Sequence, residues 1–568
     1  MLAELKLKSF NSLIHESSRD ELIWMNGYLS ALVGFPLPSS VITDSAAPVA
    51  DVAAITVLYG TETGNSKKLA TGFSAVLKKQ SVQVKLKSLD QYKPEDILKE
   101  THAVIILSTQ GEGEPPAAAK KFYDYLHDTK ADLSHLHFAV LGLGDTSYPL
   151  FCKAAEDIDT RLEQLGAARI QPLGKCDTDY NADAAEWIES FIRNITRKQA
   201  ALTTAVSKSR TQGSAKKIYS GNISSAINLN DKGSNKETWH IEISSDDNIV
   251  YEPGDSLGVV PVNNEAAVLK ILNLLNLNER DPLNYKQNTF AAFDLFTSKI
   301  NIQYLPVRVV QQYAKLVNKE IPDIRIDLAE LLRIYPVEQK IDITKLLEIL
   351  EPISPRLYSI ASSPAAHGNS EVHVTVSRNK FYVDNHERFG LCSDYLAQLH
   401  EGDTLDFYIH KNNTFRLPNA NADVILIGPG TGIAPFRSFL FERDAKGDAG
   451  RNWLFFGEQH FTSDFLYQTE MLSLFDTGVL TKLNTAFSRD QQEKIYVQHR
   501  LQQHAAEIFD WLESGAHIYV CGSKEPMSID VENTLLQIIK ERKNADEQTA
   551  VAYLESLKEE GRYHKDVY

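Results

Sequence analysis

The chain has 568 residues, 43% hydrophobic and 24% charged, enough for several ordinary cores and too many for one compact domain. Its net charge of -16 argues against wholesale nucleic-acid binding and favours partners that present a basic face. Cys152, Cys176, Cys392 and Cys521 lack the paired spacing of a zinc site or disulfide framework, no apolar run reaches the roughly 18 to 20 residues of a membrane helix, and the start Met1-Leu2-Ala3-Glu4 is not a basic signal-peptide region. A cytoplasmic protein with reduced thiols and no membrane anchor is expected.

In chain order, residues 1–50 form a helical appendage and linker. Leu22, Ile23, Trp24, Tyr28, Leu29 and Leu32 recur at helical spacing until Pro36, Pro38, Ser39 and Ser40 break the pattern. Over residues 51–192, short β-rich runs alternate with helical ones, which predicts a doubly wound parallel sheet. Residues 193–217 contain seven cations, no acids and many Ser, Thr, Ala and Gln residues, and read as a hinge. Strand patterns return over 218–420 around a helix-rich insertion near 265–350, and βα alternation resumes over 421–568. No solenoid repeat is present.

The first strand, Ile55-Thr56-Val57-Leu58-Tyr59, runs into Gly60, Thr61, Glu62, Thr63, Gly64, Asn65 and Ser66 and then a helix. Backbone N–H groups and the hydroxyls of Thr61, Thr63 and Ser66 can surround an anion there. A Walker loop needs four residues between its glycines and Lys-Ser/Thr after the second, whereas three intervene here. Alone, the segment reads better as a hydroxyl-rich helix cap. Two further loops change that balance: Ser108, Thr109, Gln110, Gly111, Glu112 and Gly113, and then Leu143, Gly144, Asp145, Thr146, Ser147 and Tyr148. All three leave the carboxyl ends of parallel strands, where open α/β sheets bind ligands. Glycines admit a flat ring, Tyr148 offers a stacking face and Asp145 a fixed charge, which together point to FMN.

Residues 55–180 resemble the flavodoxin-like module of diflavin reductases. The resemblance places the FMN phosphate on Thr61 through Ser66, ring contacts on Ser108, Thr109, Gln110 and Gly111, and a stacking loop from Leu143 through Tyr148 to Pro149, Leu150, Phe151 and Cys152. Asp177 would edge the same site. Phe151 and Cys152 read equally well as ordinary core.

A second site centres on Arg356, Leu357, Tyr358 and Ser359. The Arg can take a pyrophosphate, the Tyr can stack on a flavin ring, and the Ser can hydrogen-bond the flavin nitrogen that receives hydride. Downstream come a strand with Thr375, Val376 and Ser377, and the loop Gly390, Leu391, Cys392 and Ser393 opening a helix. This order of parts resembles the FAD domain of ferredoxin-NADP reductases and implies a β-barrel, with Phe381 or Tyr382 near a ring. Relatives often carry smaller residues at Leu391-Cys392.

The third site follows a buried strand, Val424-Ile425-Leu426-Ile427, with Gly428, Gly430, Thr431 and Gly432 before a helix. A dinucleotide pyrophosphate suits this turn, although it is not the GxGxxG fingerprint. The resemblance is again to ferredoxin-NADP reductases. Ser488, Arg489 and Lys494 can hold the 2'-phosphate that NAD lacks, and Tyr496 can stack on adenine, so NADPH is expected. The resemblance adds Ile495, Val497, Gln498 and Asp530 as nucleotide neighbours. It also makes Ser359, Cys521 and Asp566 the polar set for hydride transfer, with Tyr568 as the gate over the FAD ring.

Across nearly all 568 residues the chain is similar to the flavoprotein subunits of assimilatory NADPH-sulfite reductases. That similarity implies FAD, FMN and NADPH as cofactors, a haemoprotein subunit as electron acceptor, and a homo-oligomer assembled through the N-terminal region. A soluble diflavin reductase for another haem or cobalamin protein, and a non-catalytic flavin-binding scaffold, are the alternatives. Nicotinamide consumption and a choice of acceptors separate the three.

Overall fold

The structure is a computed structural model that describes residues 54–568 apart from 62–63, 81, 111–112, 146–149, 178–179, 197–216, 287, 338–342 and 384–385. The N-terminal appendage and most of the basic hinge therefore lie outside the described residues.

Strands β1 (Ala54–Gly60), β3 (His102–Ser108) and β4 (His137–Leu143) are near-continuous apolar runs. Such strands suit a parallel sheet covered on both faces. With β2 (Gln83–Ser88), β5 (Ala168–Arg169) and β6 (Gly174–Cys176), they form a parallel sheet in the order β2-β1-β3-β4-β5, β6 also pairing with β4. Helices α1 (Asn65–Lys79) and α4 (Asn181–Thr196) cover one face, where Phe73 meets Phe191 with ring centroids 5.2 Å apart. Helices α2 (Ala117–Asp128) and α3 (Lys153–Gln164) cover the other through Phe122 and Ile158. The strand order reverses between β1 and β3, so the loops after them flank the usual ligand crevice.

The second unit is an antiparallel sheet in the order β12-β9-β16-β7-β8-β13, built from β7 (Ile218–Asn228), β8 (Thr238–Ser244), β9 (Ser256–Val259), β12 (Arg356–Ser359), β13 (Glu371–Ser377) and β16 (Thr404–His410). A bridge between Ile360 and Val374 joins its two ends, closing the barrel around Ile241, Leu257, Val374 and Phe407. The insertion carries α5 (Glu265–Leu274), the hairpin β10 (Pro282–Tyr285) and β11 (Asn288–Ala291), then α6 (Ala292–Ser298), α7 (Val307–Val317), α8 (Leu328–Ile334) and α9 (Ile343–Ile349). It folds on its own core of Val268, Phe296, Val310, Tyr313 and Leu331. Helix α10 (Pro364–His367), the hairpin β14 (Lys380–Val383) and β15 (His386–Phe389), and α11 (Leu391–Ala397) complete the unit.

The third unit is a parallel sheet in the order β19-β18-β17-β20-β21, formed by β17 (Val424–Ile427), β18 (Asn452–Glu458), β19 (Lys482–Phe487), β20 (His517–Gly522) and β21 (Tyr563–Val567). Its helices include α12 (Ala434–Lys446), α13 (Phe461–Asp464), α14 (Gln468–Asp476), α15 (Val497–Gln503), α16 (Ala505–Glu513), α17 (Ile529–Lys543) and α18 (Glu547–Glu559).

Barrel and third unit meet through buried polar groups. Arg437 on α12 donates to Glu470 at 2.6 and 2.8 Å and to the Ala361 carbonyl at 2.9 Å, and Ser363 donates to Glu442 at 2.6 Å. His240 Nδ1 and Thr375 Oγ1 lie 2.9 and 2.7 Å from the Tyr467 hydroxyl. Arg437, Ser363, His240 and Thr375 each find a partner across the boundary, which fixes the two units in one register.

Candidate active site

At the end of β1 the chain turns through Gly64, which sits at φ +87° and donates its N–H to Thr61 Oγ1 at 2.9 Å. Helix α1 begins at once, and the Ser66 hydroxyl is fully buried with no hydrogen-bond partner among the described residues. The buried Thr109 Oγ1, after β3, also lacks one. Two orphaned hydroxyls beside the N-terminus of a 15-residue helix suit a phosphate and a polar ring edge. The residues present therefore fit FMN.

The three loops are tied together by backbone. Thr109 donates to Leu143 O at 2.9 Å, Gly144 donates to Cys176 O at 3.0 Å, and Gln110 exchanges two backbone bonds with Glu114. Asn65 accepts from the Tyr180 hydroxyl at 3.3 Å. Ser108, Leu150 and Phe151 are half-buried, and Leu143 is buried at the strand end. Cys152 begins α3 at φ +55° with its thiol fully buried, pushed up to about 12 chiefly by burial. It packs as core beneath Gly142 and Gly144, where a Cβ would come within 3.1 and 3.0 Å of it. Asp145 places Oδ2 3.4 Å from His410 Nδ1 on β16. Glu62, Thr63, Gly111, Thr146, Ser147, Tyr148 and Pro149 lie outside the described residues.

On the barrel, β12 pairs with β9 so that Tyr358 faces Leu257 and Ser359 faces Ser256. The Arg356 guanidinium is exposed and donates to Pro355 O at 3.1 Å, while Leu357 is half-buried beside it. Burial pushes the Tyr358 phenol well up, with Cys392 as its neighbour. Several side chains of the other predicted segments turn inward. Cys392 approaches Val259 O at 4.0 Å, and Ser393 Oγ accepts from Asn379 N and donates to Gly390 O, both at 3.0 Å. Gly390 is itself engaged, donating its N–H to Asn379 O at 2.9 Å and accepting from Asp394 N at 2.9 Å. Thr375 is bonded to Tyr467, Val376 is core, and Ser377 is exposed at the strand end. Phe381 packs edge-on against Tyr304, ring centroids 5.5 Å apart.

In the third unit the glycine turn is sterically required. A Cβ on Gly432 would lie 2.1 Å from Cys521 O, and Gly430 adopts φ +59°. Arg489 and Lys494 are exposed between β19 and α15, while Ser488 is buried and donates its N–H to Glu458 O at 2.9 Å. Tyr496 is 42% exposed, Ile495 is partly buried, and Val497 belongs to the core. Gln498 Nε2 donates to Asp530 Oδ2 at 3.1 Å, so two of the predicted neighbours bond each other.

Three residues remote in sequence converge between barrel and third unit. Pairing of β20 with β21 sets Cys521 opposite Asp566. Ser359 Oγ donates to Asp566 Oδ2 at 2.9 Å, and Cys521 Sγ lies 4.0 Å from the same oxygen. Burial raises the Asp566 carboxyl, and the Ser359 bond opposes that rise. Burial also drives the Cys521 thiol far up, so it serves as a neutral S–H group and not as a thiolate nucleophile. Tyr568 follows directly. Its backbone N–H donates to Gly522 O at 3.1 Å, its hydroxyl meets Thr431 Oγ1 at 2.6 Å, and its side chain is 63% exposed. Asn412 reaches Asp566 Oδ1 at 3.5 Å and His410 reaches Asp145; neither stands out in the sequence, because no local spacing marks them.

Comparison with known families assigns the same parts. The flavodoxin family model matches residues 57–190, the FAD binding domain 211–292 and 302–395, and the oxidoreductase NAD-binding domain 426–533. A flavodoxin module, an FAD barrel and a nicotinamide-nucleotide sheet in one chain define a diflavin reductase. The chain is 38% identical to the sulfite reductase [NADPH] flavoprotein alpha-component of Bacillus subtilis over 98% of this chain and 97% of that protein. It is 37% identical to the Klebsiella pneumoniae protein of that name, covering 96% and 95%, and 36% identical to one from Vibrio cholerae, covering 100% and 96%. The chain belongs to the family of sulfite reductase [NADPH] flavoprotein alpha-components.

Proposed function

We propose that this chain draws electrons from NADPH and delivers them to the haemoprotein subunit of a sulfite reductase, for reduction of sulfite to sulfide. The barrel would hold FAD, which supplies hydride-accepting chemistry when bound, and the flavodoxin-like unit would hold FMN, which supplies single-electron delivery to the acceptor. The observation that carries the reading is the convergence of Ser359, Cys521 and Asp566 where barrel and third unit meet. Ser359 donates its single hydroxyl proton to Asp566, which fixes the direction of that hydroxyl at the cleft. Cys521 lines the cleft as a neutral thiol, and Tyr568 stands at its mouth, held by its backbone and Thr431. Such a cleft aligns donor and acceptor and limits water, while the reactivity comes from the cofactors.

Thr61, Gly64, Asn65 and Ser66 would hold the FMN phosphate, with Ser108 to Gln110 and the loop from Leu143 flanking the ring. Arg356, Tyr358 and the backbone at Gly390–Ser393 would hold FAD. Arg489, Lys494, Ser488 and Tyr496 would select NADPH. Residues 51–190 carry 21 acids and 15 bases, which supports docking on a basic acceptor surface. Assembly through the N-terminal region and a cytoplasmic location complete the proposal; no helix among the described residues is long and apolar enough to cross a membrane. An anaerobic NADPH titration with flavin analysis tests the core of it. FAD and FMN should be present in equal amounts, both should be reduced, and added haemoprotein should then form sulfide. Reduction of only one flavin, or no sulfide, would refute the proposal.

A further inference from the structure

We infer that Asn412 is a positioning residue for hydride transfer, steadying with its side-chain amide the Asp566 oxygen that Ser359 leaves free. The inference rests on the reading of Asp566 as part of the hydride-transfer set. Ser359 and Cys521 both address Oδ2, at 2.9 and 4.0 Å, whereas Asn412 Nδ2 lies 3.5 Å from Oδ1. The amide can point only one way. Its Oδ1 accepts from the Thr414 hydroxyl at 3.0 Å and the Thr414 N–H at 3.3 Å, which turns the NH₂ toward the carboxylate. At 3.5 Å the contact is long, as catalytic hydrogen bonds often are before substrate closes the site.

The loop that carries Asn412 is anchored as a functional support needs to be. Asp255 is fully buried, and its carboxylate accepts from Asn412 N at 3.0 Å, from Glu252 N at 2.9 Å and from Arg416, with Lys411 Nζ at 3.2 Å. Gly254, at φ +96°, lets this turn press against the loop, since a Cβ there would sit 1.8 Å from Phe415 O. The loop is also registered to both partners of Asp566. His410 pairs with Ser256, which pairs with Ser359, and Arg416 O accepts from Tyr519, two residues before Cys521 on β20. A side chain on so fixed a loop can hold an oxygen to within a few tenths of an ångström, which orientation-dependent chemistry requires.

The groups facing Asp566 are Ser359 from β12, Cys521 from β20, Asn412 from this loop and Tyr568 beyond β21. An amide donor favours the ionised carboxylate, so its removal should make Asp566 hold its proton to higher pH. The test uses the full-length holoenzyme with two readouts. One is the rate of FAD reduction by NADPH against pH in stopped flow. The other, independent of turnover, is the infrared band of the protonated Asp566 carboxyl against pH, identified by its loss in Asp566→Asn. Asn412→Ala should move both profiles up by about one pH unit, as expected for loss of one hydrogen bond to a charged group. Asn412→Asp, which adds a like charge, should move them further, and Asn412→Gln should restore part of the shift. If all three variants keep the parent profiles and change only thermal stability, Asn412 is structural and the inference is wrong. If Asp566→Asn itself leaves FAD reduction unchanged, the underlying reading of Asp566 falls instead.

Discussion

Replacing Arg489 and Lys494 together with alanine removes the two cations assigned to the 2'-phosphate. Both are exposed between β19 and α15, so water and salt screen them. A charge-assisted bond to a phosphate is worth roughly 1.5 to 3 kcal/mol, and exposure brings each contact to about 1 to 1.5 kcal/mol. The pair then contributes about 2 to 3 kcal/mol, which corresponds to a roughly 30- to 150-fold rise in KM for NADPH. NADH lacks the phosphate, so its KM should stay near the parent value. Steady-state rates with ferricyanide, measured for both nucleotides at low and high ionic strength, provide the assay. The parent's preference for NADPH should shrink as salt rises, and the double variant's residual preference should hardly respond. Equal loss with the two nucleotides would refute the assignment, because only a contact to the shared part of the molecule weakens both.

Deleting Tyr568 should lower discrimination against NADH, since nicotinamide would no longer have to displace the ring held by Thr431 and the Gly522 carbonyl; an unchanged NADPH/NADH ratio of kcat/KM would remove the gate from the mechanism. Acid should destabilise the protein from pH about 6.5 downward. Burial holds His240, His367, His373, His517 and His564 below the ordinary histidine range, His517 down to about 4, so the unfolded chain binds more protons as pH falls through 6.5 and stability present above that pH is lost below it. Calorimetry from pH 8 to 5 checks the sign, and a Tm that rises on acidification would contradict it. A fragment from residue 218 onward should oxidise NADPH and reduce ferricyanide yet fail to supply the haemoprotein, because the exit loops at Thr61 and Ser108 are gone; sulfide formation at the intact rate would make FMN dispensable.

The tight turn from β1 into α1, with its short hydroxyl side chains at fixed spacing, was legible in the sequence. Thr61, Gly64 and Ser66 fall within one turn of chain, and the chemistry of an anion cradle is local. The sheet units were equally legible, because buried parallel strands such as Val424–Ile427 are apolar throughout. What stayed hidden depends on which way a side chain turns. Thr375 and Cys392 occupy segments assigned to FAD, yet Thr375 bonds Tyr467 and Cys392 turns to Val259 O, contacts set by residues 92 and 133 positions away. Asn412 and His410 carry no motif at all, and their meaning comes from the partners that tertiary structure supplies.

The contrast between two interfaces gives these parts a direction of use. Barrel and third unit are locked by a buried guanidinium, a glutamate and a tyrosine hydroxyl, each bonded across the boundary. Breaking such a set leaves desolvated charges behind, which opposes separation of the two units. The FMN module meets the rest through polar pairs that include Asp145 with His410 at 3.4 Å and Lys67 with Glu555 at 3.8 Å, the latter pair 49% and 42% exposed. The exposed Lys67–Glu555 pair is worth about 0 to 1 kcal/mol, whereas Asp145 and His410 are only 13% and 15% exposed. The buried polar lock therefore lies between barrel and third unit, the boundary at which Ser359, Cys521 and Asp566 converge.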